Sequence, residues 1–295
     1  MKAENLLAGL ILLFASCTGD SVNNEVVNNP RTAEVSVHIS DFSVSTSDFS
    51  GPVSRASVSP SNYADVGELV LAFFNEDDEE VAKFTQVRKD STTFTTFGDF
   101  RFTLPEGKYT LVAIGRDVGS DDNFTLTSPS EATYTSERVR ETFSATQAVT
   151  VTGTKAVYLD VDLKRIITML VVYSTDARPE GVARIRTTYG AGSKSFNPAT
   201  GFALDDNGFS LTNTSSAAVG QTVGIANFAF LATDEETIDI TLEALDAENN
   251  VLAHREVADV PFRRNRQTTL RGALFSSSTA ITIETTWLPS VDVSF

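Results

Sequence analysis

Cysteine is almost absent: Cys17 is the only one in 295 residues. No disulfide can form within the chain, and zinc sites built from several cysteines are excluded. Histidine is nearly as scarce, with only His38 and His254, so neither an HExxH helix nor a His-rich metal site can be assembled. No serine sits in a G-x-S-x-G turn, Gly190-Ala191-Gly192 lacks the third glycine and the helix of a dinucleotide loop, and Gly107-Lys108 has no P-loop glycine before it. The chain therefore reads as a non-enzyme with no cofactor and no metal. Basic residues are outnumbered 39 to 23, a formal net charge of -16, which argues against nucleic acid and anionic lipid headgroups as partners. Tryptophan occurs once, at Trp287, with six tyrosines against twenty phenylalanines, a balance that suits hydrophobic cores better than sugar-stacking surfaces.

Only one apolar run is long, residues 6–14, and it is too short for a permanent bilayer-spanning helix. It has the length of a signal-peptide core, it ends in the small residues Ala15 and Ser16, and Cys17 follows directly. That order marks residues 1–16 as a lipoprotein signal peptide and the Cys17 thiol as the group that takes the lipid. The other reading, a buried structural cysteine, leaves its place just after the apolar run unexplained. Lys2 supplies the positive start of the leader and Glu4 offsets it. Losing residues 1–16 removes one base and one acid, so the mature charge remains -16. Two or three acyl chains, at about 0.8 kcal/mol per buried methylene, hold a protein on a membrane durably. Residues 17–32, polar and rich in asparagine, read as a flexible tether whose extended reach is on the order of 50 Å.

Beyond the tether the dominant period is two. Val35, Val37 and Ile39 alternate with polar residues, and Leu69, Leu71 and Phe73 form one face of a strand whose other face is Val70, Ala72 and Phe74, so that strand is expected to be buried on both sides. Polar turn clusters recur at residues 75–80, 105–107, 119–123, 197–201, 205–208 and 247–250. Only residues 136–146 leave a short helix open as an alternative. The expected class is all-β, two antiparallel β-sandwiches in tandem: an N-terminal domain over residues 33–160 and a C-terminal domain over 161–295.

The segment Leu104-Pro105-Glu106-Gly107-Lys108-Tyr109-Thr110-Leu111-Val112-Ala113 resembles the turn and strand of transthyretin-like sandwiches, with Tyr109, Leu111 and Ala113 facing the core. Pro261-Phe262-Arg263-Arg264-Asn265-Arg266-Gln267-Thr268-Thr269-Leu270-Arg271-Gly272, followed by Ile281-Thr282-Ile283-Glu284, is similar to the sequence before the last strands of the fimbrillins and their anchor proteins, the type V pilins of Bacteroidales. Lipidated cysteine, tether, first strand and Ser54-Arg55-Ala56 follow in the same order. The resemblance implies an outer-membrane, surface-exposed lipoprotein precursor that serves cell adhesion. An Arg-specific protease would cut between Arg55 and Ala56, and the opened groove would accept a strand from another fimbrial subunit in a homo- or hetero-polymer. The alternate residues Val291, Val293 and Phe295 are the candidate donor strand; pairing within their own domain is the other reading. Arg55 likewise reads either as a processing site or as an ordinary loop arginine.

The remaining charged features have plainer readings. Residues 76–80 and 205–208 lack the ligand spacing of a calcium loop and read as solvated turns. Arg263, Arg264, Arg266 and Arg271 form the only basic cluster, either a contact for an acidic neighbouring subunit or a charged strand edge. His38 is expected to face solvent. An alternative function, a surface lipoprotein that binds glycans, requires an exposed aromatic platform that the sequence alone does not display.

Overall fold

A computed structural model describes residues 31–46, 54–90, 92–119, 123–136, 138–276 and 281–287, with side chains left undescribed at 44–46, 54–57 and 287. Cys17, Val291, Val293 and Phe295 lie outside these residues. The described part is all-β and forms one compact unit. Its N-terminal half runs β1 (Thr32–Thr46), β2 (Ser54–Val58), β3 (Glu68–Phe74), β4 (Glu80–Val87), β5 (Asp99–Pro105), β6 (Gly107–Arg116), β7 (Phe124–Ser128), β8 (Glu131–Tyr134), β9 (Thr142–Val151) and β10 (Val157–Arg165). The rest comprises β11 (Thr168–Ser174), β12 (Arg184–Tyr189), β13 (Ser195–Phe196), β14 (Phe209–Thr214), β15 (Gly224–Ala229), β16 (Glu235–Leu245), β17 (Val251–Arg263), β18 (Arg266–Gly272) and β19 (Ile281–Trp287). A single 3₁₀ turn, Pro60–Asn62, is the only helical element among the described residues. The helix left open at 136–146 does not form; β9 takes over from Thr142 and pairs with β6 along its whole length.

The first sheet has the order β2-β1-β10-β9-β6-β3-β4, with β5 also on β1. It folds over between β10 and β9, where only Lys164 and Arg165 pair with Ser144 and Phe143. One hydrophobic core fills the fold, joining Val35, Val37, Ile39 and Phe42 of β1 to Leu69, Leu71 and Phe73 of β3 and to Tyr109, Leu111 and Ala113 of β6. The opposite face of β3 is buried too: Val70, Ala72 and Phe74 pack with Val112, Ile114, Tyr134, Ile167, Phe196 and Phe230 in a second core under the small sheet β13-β8-β7. A third core lies between the sheets β15-β11-β18-β19 and β14-β12-β16-β17. Period two thus places every apolar side chain of β3 in one core or the other, as its sequence requires.

Among the described residues pairing is antiparallel except at two places: β1 runs parallel to β10, and β11 runs parallel to β18. Alternation fixes which face a side chain takes and is blind to strand direction, so the sequence reading held no sign of either. The acidic turns are hairpin ends held by their own side chains. Asn75 Oδ1 accepts from the backbone N–H groups of Asp77 and Glu79, and Asp246 Oδ1 accepts from those of Glu248 and Asn250. Asp78 and Asn249 supply the left-handed residue each turn needs, at φ 61° and 72°.

Candidate functional site

The first strand is the most deeply inserted element of the N-terminal half. Along one edge β1 pairs with β10 from Val35 to Ser43, and along the other its start pairs with β5 and its end with β2. Ala33, Val35, Val37, Ile39 and Phe42 all lie within 2% of complete burial. The step from Ile39 to Phe42 is three residues because the register slips between Ile39 and Asp41, a bulge that keeps Phe42 on the inner face. Gly115 of β6 makes room for that ring: a Cβ there would stand 2.8 Å from Phe42 Cε1. Phe42 completes an aromatic triad with Tyr63 and Phe143, at centroid distances of 5.5 and 4.9 Å.

A buried polar network underlies the triad. Arg165, at the end of β10, pairs with Glu141 at 2.8 Å, donates to the Tyr63 hydroxyl at 2.6 Å and to Asn265 Oδ1 at 3.1 Å. The Tyr63 hydroxyl in turn donates to Glu141 at 2.8 Å. Burial raises the Glu141 carboxyl above its ordinary value, while the Arg165 charge and the tyrosine hydrogen bond act against that rise. Burial likewise raises the Tyr63 phenol. Through Asn265, in the turn between β17 and β18, the network ties the β1 core to the C-terminal half.

Arg55 and Ala56 lie in β2, paired with Ser45 and Val44 of β1 rather than in an open loop. A protease that binds its substrate extended would reach the Arg55–Ala56 bond only after this short pairing frays. The sequence Ser54-Arg55-Ala56 carries no period that could have announced a strand. His38 faces outward, as expected, and its Nδ1 lies 2.5 Å from Asp99 Oδ1 of β5, its partner in register. The basic cluster is engaged within the chain: Arg263 pairs with Glu235, Arg264 pairs with Asp234 and lies over the Phe202 ring, and Arg271 lies over Tyr173.

The segment that follows β18, residues 274–276, is anchored by a residue that the sequence did not single out. Asp176 accepts the backbone N–H groups of Leu274, Phe275 and Ser276 at 2.7–2.8 Å. Partial burial pushes its carboxyl up, yet these three donors outweigh it and hold the group below the usual aspartate value. β19 then forms the edge of its sheet on β18. Among the described residues no group of three or more His, Cys, Asp or Glu could hold a metal ion.

The profile of a family of unknown function, DUF6562, matches residues 32–292, from the first residue of β1 to beyond β19. The chain belongs to that family. No curated protein matches it in sequence. Among solved structures, a candidate polysaccharide-binding protein (DUF1812) from Bacteroides thetaiotaomicron is similar at a TM-score of 0.50 and 11% identity, over 87% of this chain and 98% of that one. A candidate adhesin from Bacteroides ovatus reaches 0.49 at 12% identity, over 83% and 88% of the two chains. The fimbrial anchor protein Mfa2 of Porphyromonas gingivalis reaches 0.44 at 10% identity, over 81% and 90%. At these identities the first of the three speaks for the fold alone. For this DUF6562 member the features to explain are therefore its own: an inserted first strand, an arginine in the strand that pairs with its end, and the residues 274–276 after β18 held by Asp176.

Proposed function

We propose that this chain is a subunit or anchor of a surface fimbria, made as a lipoprotein precursor and assembled by strand complementation. The observation that carries the reading is β1. It supplies one wall of the N-terminal core, and on its far side it leads into the hairpin that contains Arg55. A cut after Arg55 would separate β1 and everything before it from the body of the protein. Burial of Val35, Val37, Ile39 and Phe42 is worth roughly 6 to 12 kcal/mol at about 1.5 to 3 per side chain, before ordering costs. Losing β1 would leave β10 and β5 with unpaired edges around an open apolar groove, and both effects favour a replacement strand from a partner. The residues 291–295, with Val291, Val293 and Phe295 in alternation, have the composition of such a strand.

In this proposal the lipid on Cys17 holds the precursor at the outer membrane, residues 17–32 are the tether, and the partners are other fimbrial subunits, without enzymatic chemistry. Two β-sandwich domains divided near residue 160 belong to the same proposal. Residue 160 falls inside β10, the large sheets change only after Arg165, and the core around Phe230 and the small sheet β13-β8-β7 join the two halves. The test is the N-terminal residue of the native protein, by mass spectrometry on outer-membrane and sheared-surface fractions. Ala56 as first residue in the sheared fraction is the outcome expected of a polymerising subunit, and lipidated Cys17 as first residue is expected of an anchor. A start at Cys17 in every fraction, with no sedimenting polymer, would reduce the protein to a plain surface lipoprotein.

A further inference from the structure

We propose that the cleft between β4 and β5 binds a segment of a neutral polysaccharide. The two strands lie in opposite layers of the N-terminal fold, and the arch between them is described at residues 88–90 and 92–98. Between them is a cleft of about 740 Å³, within the ordinary size range of ligand sites. Phe84 and Phe102 lie in its lining, stacked at 4.0 Å and 15°, with Phe94 of the arch beside them, and all three rings are partly exposed. Phe73, Phe74, Phe143, Phe196 and Phe230 are by contrast completely buried. The outer parts of these three rings, which otherwise pack on the N-terminal core, give the cleft an apolar floor.

The rim offers polar groups of both kinds. The hydroxyls of Thr85, Thr95 and Thr96 and the guanidinium of Arg101 line the cleft and have no side-chain partner among the described residues. Asp99 adds an acceptor and Lys83 a donor. An anion site would gather donors only, whereas a polyol needs donors and acceptors together around an apolar floor that takes its C–H face. The net charge of -16 further disfavours a polyanion. The two ends of the arch are already held in place. Gln86 donates to Asp99 O at 2.6 Å and accepts from Gly98 N at 2.8 Å, and Arg88 lies 4.0 Å over the Phe97 ring while donating to three backbone carbonyls. Little ordering cost would remain at binding. Because β5 pairs only with β1 among the described strands, the site belongs to the chain with β1 in place.

The experiment is native electrophoresis of the full chain through gels containing, one at a time, α-glucan, β-glucan, mannan, xylan, galactan and, as a polyanion, polygalacturonate. Retardation by at least one neutral polymer is expected. Arg101→Ser and the Thr95→Val/Thr96→Val pair should weaken it about three- to tenfold, the scale of one or two lost hydrogen bonds, while Lys108→Ser should not. All three are exposed-site changes, and an unchanged melting temperature for each separates lost binding from lost folding. Retardation by no neutral polymer, retardation by polygalacturonate alone, or equal retardation of wild type and rim variants would each overturn the proposal. So would displacement of the bound polymer by an unrelated strand-forming peptide, which would make the cleft a free sheet edge for a protein partner.

Discussion

Asp176 shows how much a single side chain can organise without advertising itself. Its carboxylate gathers three consecutive backbone donors, and no motif or apolar period in the sequence marks it. Its pH dependence has a definite sign. A carboxyl held below its unfolded value of about 3.8 stabilises the fold above that value, and the contribution is lost as pH falls through the depressed native value. Asp176→Asn keeps an acceptor but loses the charge. Its melting temperature should therefore fall furthest below wild type at neutral pH, with the gap narrowing under acid; thermal unfolding from pH 7 down to pH 3 measures it. A constant gap over that range would mean that the three hydrogen bonds owe nothing to charge. The Tyr63, Glu141 and Arg165 network was equally silent in the sequence, because an isolated tyrosine, glutamate and arginine form no pattern until the strands bring them together.

At the scale of elements, β1 stands or falls with the space that Gly115 leaves for Phe42. Gly115→Ala would push a methyl into that ring and, at 2.8 Å from an aromatic carbon, should cost about 1 to 3 kcal/mol. Hydrogen exchange followed by mass spectrometry should show faster exchange across β1 and β2 and little change in β16 and β17. Uniform acceleration would mean that β1 is no more separable than any other strand. The double-sided burial of β3 and the inward row Tyr109, Leu111 and Ala113 were legible in advance, because alternation between two cores leaves an unbroken apolar run and alternation against one leaves a striped one. Strand order and direction were not, since they depend on which edges meet after the chain has turned. Of the candidate site, the buried row of β1 was visible, whereas the pairing of Arg55 inside β2 and the phenylalanine cleft below the arch emerged only from the fold.

For the whole molecule the decisive feature is the middle core, where Phe196 and Phe230 stack at 4.3 Å beneath β3 and β6. Residues from both halves of the chain share it, so the halves should unfold together. Urea titration read by far-UV circular dichroism and by the fluorescence of the single tryptophan should give one coincident transition. Phe230→Ala should lower its stability by about 3 to 5 kcal/mol while the two probes stay coincident. Two separated transitions in wild type would show that the halves are independent. The parallel pairing of β1 with β10 has a mechanical meaning as well. β10 continues directly into β11 and the rest of the chain, so a load applied between residue 31 and residue 287 draws on the start of β1 and the end of β10. Those are opposite ends of a parallel pair. Such a pull shears all the rungs between Val35 and Ser43 at once, whereas an antiparallel pair loaded through the same two strand ends would open one rung at a time. The strand that the proposed cut after Arg55 would release is thus the one placed to resist being pulled out.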